Sequence, residues 1–142
     1  MFVGQYERSL DSKFRIVLPK RYREKLGSKV FLALSDSSLG VYSEAQFDET
    51  SQLLIERDRA GELPPGFRRA FAATAEEVVP DQKTGRITIS QQLREYAKLT
   101  NEVIVAGAFT YVEIWDKATF EANAALHADA LAQQFRLGGA IN

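Results

Sequence analysis

An α+β, β-rich fold is what this sequence predicts, and three observations predict it. The segment LDSKFRIVLP at residues 10–19 is nearly rewritten as PDQKTGRITIS at residues 80–90. Short apolar runs bounded by turn residues recur along both halves, the pattern of strands rather than of long helices. Each rewritten segment is followed by a short stretch of helical pattern.

Taken in order, residues 7–10 alternate polar and apolar and read as a short strand. Residues 11–14 read as a turn, because an Asp side chain can bond its own backbone two residues on. Residues 15–18 form a second strand. Pro19 suits the first position of a helix, KRYREKL at 20–26 supplies it, and Gly27 ends it. VFLAL at 30–34 is a strand, and after the loop SDSS comes another at 39–42. Ser43 begins a helix, with Gln46 three residues on as a capping box. Phe47, Leu54 and Leu53 make its apolar stripe. In the second half, 76–79 reads as strand, 81–85 as turn, 86–90 as strand, 91–99 as helix, and 103–106 and 111–115 as strands. Asp116 caps a last helix whose stripe includes Phe120, Ala124 and Leu131.

The halves can be laid over each other. Asp11 matches Asp81 at an offset of 70, and Arg15 matches Arg86 and Arg23 matches Arg94 at 71. Leu26, Val30, Val41, Tyr42 and Phe47 match Leu99, Val103, Ile114, Trp115 and Phe120 at 73. A fixed offset through strand, loop and helix is the mark of an internal duplication. The expected organisation is a first unit at 5–47, a helical connector at 48–75, a second unit at 76–119, and a C-terminal helix and tail at 120–142. Pro64-Pro65 breaks the connector, and Phe67 and Phe71 lie four apart on a short helix within it. It is expected to pack, since burial of a phenylalanine is worth ~1.5–3 kcal/mol. The last five residues, 138–142, are expected to fray.

Composition narrows the function. The chain has 142 residues, no cysteine, one histidine and a net charge of −1. Disulfides and thiolate metal sites are excluded. No apolar run is long enough for a membrane span, and the N-terminus lacks the order of a signal peptide, so a cytoplasmic protein is expected. The charge is unevenly spread. Residues 1–34 hold eight Lys/Arg against three Asp/Glu, and the remainder holds ten against sixteen. A basic N-terminal region on an acidic body can attract polyanions over about 8–10 Å; the other reading is a solvated basic surface. No Ser-His-Asp constellation, Gly-rich phosphate loop or metal-ligand spacing is present, so neither an enzyme nor a cofactor is expected. His127 reads as a surface residue, Asp48-Glu49 as a solvated helix face, and Tyr42 and Trp115 as core or interface anchors.

An Asp-x-x-Gly-Arg turn followed by an apolar strand and Pro resembles the AbrB-like swapped-hairpin DNA-binding proteins. Two such turns, with Met1-Phe2-Val3-Gly4 at the start, Arg21-Tyr22-Arg23 after Pro19, and Glu113-Ile114-Trp115-Asp116 near the end, resemble the MraZ family of bacterial transcriptional regulators. The resemblance covers essentially the whole chain. It implies two tandem SpoVT-AbrB-like units around a pseudo-twofold β-barrel core with short helices. It implies a homo-oligomeric ring, expected to have eight or more subunits. It also implies binding to double-stranded DNA at direct repeats upstream of the division and cell-wall gene cluster, usually as a repressor, with nucleoid association. Three positions depart from the pattern. Phe14 stands where glycine is common, Lys83-Thr84 lengthens the second turn by one residue, and Ser90 replaces proline.

Within that resemblance the turn residues divide. Asp11, Asp81 and Gly85 are expected to structure the turns. Arg15 and Arg86 either bridge to the aspartates or meet DNA, since a guanidinium suits carboxylate, phosphate and guanine alike. Lys13 and Lys83 at the tips, with Arg8 and Lys20 nearby, are expected to extend the DNA-facing surface. Arg23 and Arg94, matched across the copies, are expected to share a structural or interface role as much as a DNA contact. The rival expectation is a homo-oligomeric protein-interaction scaffold or antitoxin-like module. RNA binding is disfavoured, because the turns lack a set of stacking aromatics.

Overall fold

The computed structural model describes residues 1–137; the expected frayed tail lies outside them. The elements run β1 (Gln5–Ser9), β2 (Arg15–Val17), α1 (Lys20–Leu26), β3 (Val30–Leu34), β4 (Leu39–Ser43), α2 (Glu44–Arg59), α3 (Phe67–Thr74), β5 (Glu76–Val78), β6 (Arg86–Thr88), α4 (Gln91–Tyr96), β7 (Glu102–Gly107), β8 (Val112–Asp116), α5 (Lys117–Ala122) and α6 (Ala124–Arg136). The result is a mixed α+β fold with a strand-rich antiparallel sheet.

The duplication is visible in the elements. β4 and β8 span equivalent residues at an offset of 73, and so do the starts of α2 and α5. The caps match as well. The Ser43 hydroxyl accepts from the Gln46 N–H at 3.2 Å, and the Asp116 carboxylate accepts from the Ala118 N–H at 3.2 Å; each satisfies an N–H that the first helical turn leaves without a partner. Of the expected capping box, the bond from the Gln46 N–H to the Ser43 hydroxyl forms, while the Gln46 Nε2 donates to the Thr50 hydroxyl.

The strands pair across the copies. A six-stranded sheet runs β1-β7-β8-β4-β3-β5, and β2 and β6 form a separate two-stranded ribbon. β1 of the first copy pairs with β7 of the second, and β5 of the second with β3 of the first. Exchanging the copies reverses the sheet order and leaves it unchanged. The expected closed barrel is corrected to this open sheet plus ribbon. β2 and β6 have only three residues each and pair with one another, so among the described residues no strand joins β1 to β5 to close a barrel.

One core cluster ties ribbon, short helices and sheet together. Ile16 and Ile87, opposite each other in the ribbon, are buried with Leu18, Tyr22, Ile89 and Leu93 against Leu32, Val41, Val105 and Ile114 of the sheet. β8 shows the alternation this requires: Val112 and Ile114 are buried, Glu113 and Trp115 less so. The less buried face carries aromatics. Phe31 stacks on Phe47 at 4.6 Å, Phe47 packs on Phe71 of the connector, and Trp115 meets Phe120 edge-on.

The helices depart from expectation in detail. α4 stops at Tyr96, where Lys98 turns left-handed at φ 53° and the Leu99 N–H closes back onto the Arg94 carbonyl. The last helix is broken at Asn123, whose side-chain amide donates to the Thr119 carbonyl at 2.8 Å. Of the expected stripes, Phe47 and Leu54 are half-buried, whereas Leu53, Ala124 and Leu131 are exposed. The N-terminal Met-Phe-x-Gly segment lies along the second copy. Phe2 exchanges both backbone hydrogen bonds with Phe109, its ring meets Tyr22 edge-on, and the Tyr22 hydroxyl is shared between the Val3 and Gly4 carbonyls.

Candidate nucleic-acid interface

The ribbon places the two matched arginines on one surface. In an antiparallel pair, opposed residues share a face. Ile16 and Ile87 take the inner face, so Arg15, Val17, Arg86 and Thr88 take the outer one. Arg15 and Arg86 lie diagonally across it, one from each copy.

Asp11 organises this surface. Its Oδ1 accepts from the N–H groups of Lys13 and Arg15 at 2.8 and 2.9 Å, which fixes the turn. Its Oδ2 accepts from Arg15 Nε at 2.9 Å and lies 3.6 Å from Arg86 Nε. One carboxylate therefore performs both roles left open in the sequence: turn-former and arginine partner. The Arg15 N–H leads in holding the Asp11 carboxyl below the usual carboxylate range, with the Lys13 N–H and the Arg15 guanidinium adding to it against the cost of burial. Among the described residues, the terminal nitrogens of Arg15 and Arg86 make no hydrogen bond.

The second turn is built differently. Asp81 Oδ1 accepts from the N–H groups of Lys83 and Thr84 at 2.8 and 2.9 Å. These two, Thr84 first, hold its carboxyl low. Its side chain bonds neither arginine. The added residue moves the second donating N–H from the arginine to Thr84.

Both turns end in a left-handed residue just before the arginine, Phe14 at φ 59° and Gly85 at φ 71°. The matched helix arginines cross over to support them. Arg94 of the second copy stacks its guanidinium 3.6 Å from the Phe14 ring centre, with Nη1 donating to the Ile89 carbonyl at 2.6 Å. Arg23 of the first copy lies against Gly85, where an added Cβ would stand 2.2 Å from Nη1. Sequence reasoning singled out the matching of Arg23 and Arg94 but not the residues they support. The equal offset was the available signal.

The other basic residues are spread unevenly. Lys13 and Lys83 are exposed at the turn tips, and Lys20 is exposed at the start of α1. Arg8 is tied inward: Nε donates to the Val17 carbonyl at 3.2 Å and Nη1 to the Glu7 carbonyl at 2.8 Å. It braces β1 against the ribbon. The two turns, 11–15 and 81–86, together hold four Lys/Arg and two Asp, a local excess of positive charge on a chain of net −1. Among the described residues, no group of three His, Cys, Asp or Glu could hold a metal ion, and no helix is long and apolar enough to cross a membrane.

Comparison with known proteins identifies the family. The profile of the family described as "MraZ protein, putative antitoxin-like" matches residues 1–62 and 71–136. A relative from Acetivibrio thermocellus named Transcriptional regulator MraZ is 36% identical over 143 aligned positions, covering 98% of this chain and 99% of its own. Relatives of the same name from Mycobacterium sp. (strain KMS) and Nocardia farcinica are 38% and 36% identical, covering 85% and 94% of this chain and 85% and 93% of their own. Both matched segments carry a turn with its arginine, and on this evidence the chain belongs to the MraZ family.

Proposed function

We propose that the protein is a DNA-binding transcriptional regulator that presents the outer face of the β2–β6 ribbon and its two turns to double-stranded DNA. The observation that carries the reading is the convergence of Arg15 and Arg86, one from each copy, at a single carboxylate, with Lys13 and Lys83 flanking them. Arg15, hydrogen-bonded to Asp11 through Nε, and Arg86, whose Nε faces the same carboxylate, keep their outer nitrogens for phosphate oxygens or the guanine edge. Lys20 adds charge nearby, and Arg8 acts by bracing the strand beneath. The relatives' name supports a role in transcription.

The finer features of this reading rest on the family resemblance. The two units, 5–47 and 76–119, are swapped-hairpin modules, a reading supported by strands that pair across the copies; 48–75 connects them and 120–142 follows as helix and tail. The output is repression at direct repeats upstream of the division and cell-wall genes, including the protein's own, in the cytoplasm at the nucleoid. A ring of eight or more subunits supplies avidity, because a few phosphate contacts give only ~10⁻⁴–10⁻⁶ M at physiological salt and an array raises effective concentration. Exposed Phe67, Leu126, Leu131 and Phe135 on α3 and α6 support assembly through the helices. The same side chains are what a protein-interaction scaffold or antitoxin-like module would use.

The test is fluorescence anisotropy with a labelled duplex carrying the direct repeats upstream of the protein's own gene, against scrambled duplex, across salt concentrations. Wild type is expected to prefer the repeats with a steep salt dependence. Arg15→Ala and Arg86→Ala are each expected to weaken binding and flatten the log–log salt slope by about 1. Equal affinity for both duplexes would overturn the reading and favour the scaffold.

A further inference from the structure

We propose that Phe14 is a specificity-determining residue which reads thymine, its ring meeting the 5-methyl group in the major groove; this rests on the DNA-binding reading above. Four observations converge on it. Phe14 adopts φ 59°, a left-handed backbone that L side chains occupy at a cost. The second turn, one residue longer, fills the matched left-handed position before its arginine with Gly85, so that position does not require a ring. Phe14 is 46% exposed although its side chain is large and apolar. It stands between Lys13 and Arg15 on the turn that carries the proposed DNA contacts.

The ring is also held in place. Arg94 covers one face at 3.6 Å while anchored to the Ile89 carbonyl, and the Phe14 carbonyl accepts from the Ile89 N–H at 2.9 Å. A phenyl ring offers nothing to a phosphate. The apolar feature that a base edge presents in the major groove is the thymine methyl, and phenylalanine is one of the side chains suited to it. The second turn cannot do this: Gly85 is buried, and Arg23 fills the space a side chain would need. The two turns of one chain are therefore unequal readers. The first combines arginine with an apolar probe, and the second is limited to charge and backbone.

The experiment removes methyl groups alone. The upstream duplex is prepared with deoxyuridine in place of thymidine, and the full-length chain is titrated against it and the natural duplex. Wild type should bind the uridine duplex more weakly, by about fourfold for each methyl contacted. Phe14→Gly and Phe14→Asn, both compatible with a left-handed backbone, should bind the two duplexes equally. A wild type indifferent to the methyls, or variants that keep the wild-type ratio, would overturn the proposal while leaving DNA binding intact. A wild type that binds neither duplex above scrambled DNA would overturn the DNA reading itself and this proposal with it. Thermal unfolding of each variant confirms that a folded protein is being compared.

Discussion

Arg86 Nε lies 3.6 Å from Asp11 Oδ2, although the two residues come from different copies of the repeat. Asp11 also holds Arg15 of its own copy, so one acid spaces two bases on the outer face of the ribbon. Asp11→Asn keeps an oxygen for the N–H groups of Lys13 and Arg15 but removes the charge. The variant should bind scrambled DNA more tightly than wild type and discriminate the repeats less. Anisotropy against both duplexes reads this directly. Unchanged discrimination would show that the arginines do not need the carboxylate's charge to be placed.

Acid should unfold the protein partly through its turn and cap aspartates. Asp11 and Asp81 have folded-state pKa values below the ordinary 3.8, lowered chiefly by backbone N–H groups. Asp116 is lowered too: its burial works the other way, but hydrogen bonds from Thr100, Thr119 and Ala118 outweigh it. A depressed carboxylate contributes stability in full above its unfolded pKa and loses it as pH falls through the folded one. The melting-temperature gap between wild type and Asp81→Asn should thus be widest above about pH 5 and narrow as pH falls through the folded-state pKa, which lies below 3.8. A gap that widened on acidification would contradict the assignment.

Gly85→Ala should destabilise the fold. The left-handed backbone alone costs ~1–2 kcal/mol for an L residue, and the new Cβ would stand 2.2 Å from Arg23 Nη1. Adding Arg23→Ala should recover the steric part but not the backbone part. Phe14→Gly, at the matched position, should be within about 1 kcal/mol of wild type, because relief at φ offsets the lost cation–π stack. Denaturant titration of the four proteins separates these contributions.

The N-terminal arm depends on close approach to Gly107. A Cβ there would come within 2.4 Å of the Phe2 carbonyl carbon and oxygen, backbone atoms that no rotamer change can move. Gly107→Ala should free residues 1–4, read as rapid hydrogen exchange at the Phe2 and Phe109 amides. Tyr22→Phe should loosen the same arm at a cost of about 1 kcal/mol, since its hydroxyl holds the Val3 and Gly4 carbonyls.

Alkali provides a separate probe. Burial leads in pushing the Tyr42 phenol up to about 12, with Tyr111 and Glu113 adding to it. Its neutral form is favoured in the fold, so this contribution is intact below pH 10 and is lost between pH 10 and 12. Ultraviolet titration of wild type against Tyr42→Phe should remove a late-titrating phenol.

Much of this architecture was legible because duplication is a strong signal. The offset of 73 through Val30, Tyr42 and Phe47 located β3, β4 and α2 against β7, β8 and α5. Strand partners were not legible. Periodicity says which face of β1 is apolar, but not that its neighbour is β7, about a hundred residues on. For the same reason the contact from Asp11 to Arg86 was invisible, whereas its turn with Arg15 is local and could be read. The break at Asn123 was missed because alanines on either side carry a helical pattern through it. Phe14 was noticed only as a departure; its meaning depends on Arg94, which reaches it from the other copy.

The crossed pairing of strands also governs how the chain reaches its native state. β1 cannot find its neighbour until residues 102–107 have been synthesised and have left the ribosome. At ~5–20 residues per second the first copy spends several seconds with an open strand edge. Such distant partners raise contact order and slow folding. Folding here is an act of the completed polypeptide, and a message truncated after the first repeat would yield an edge seeking a partner.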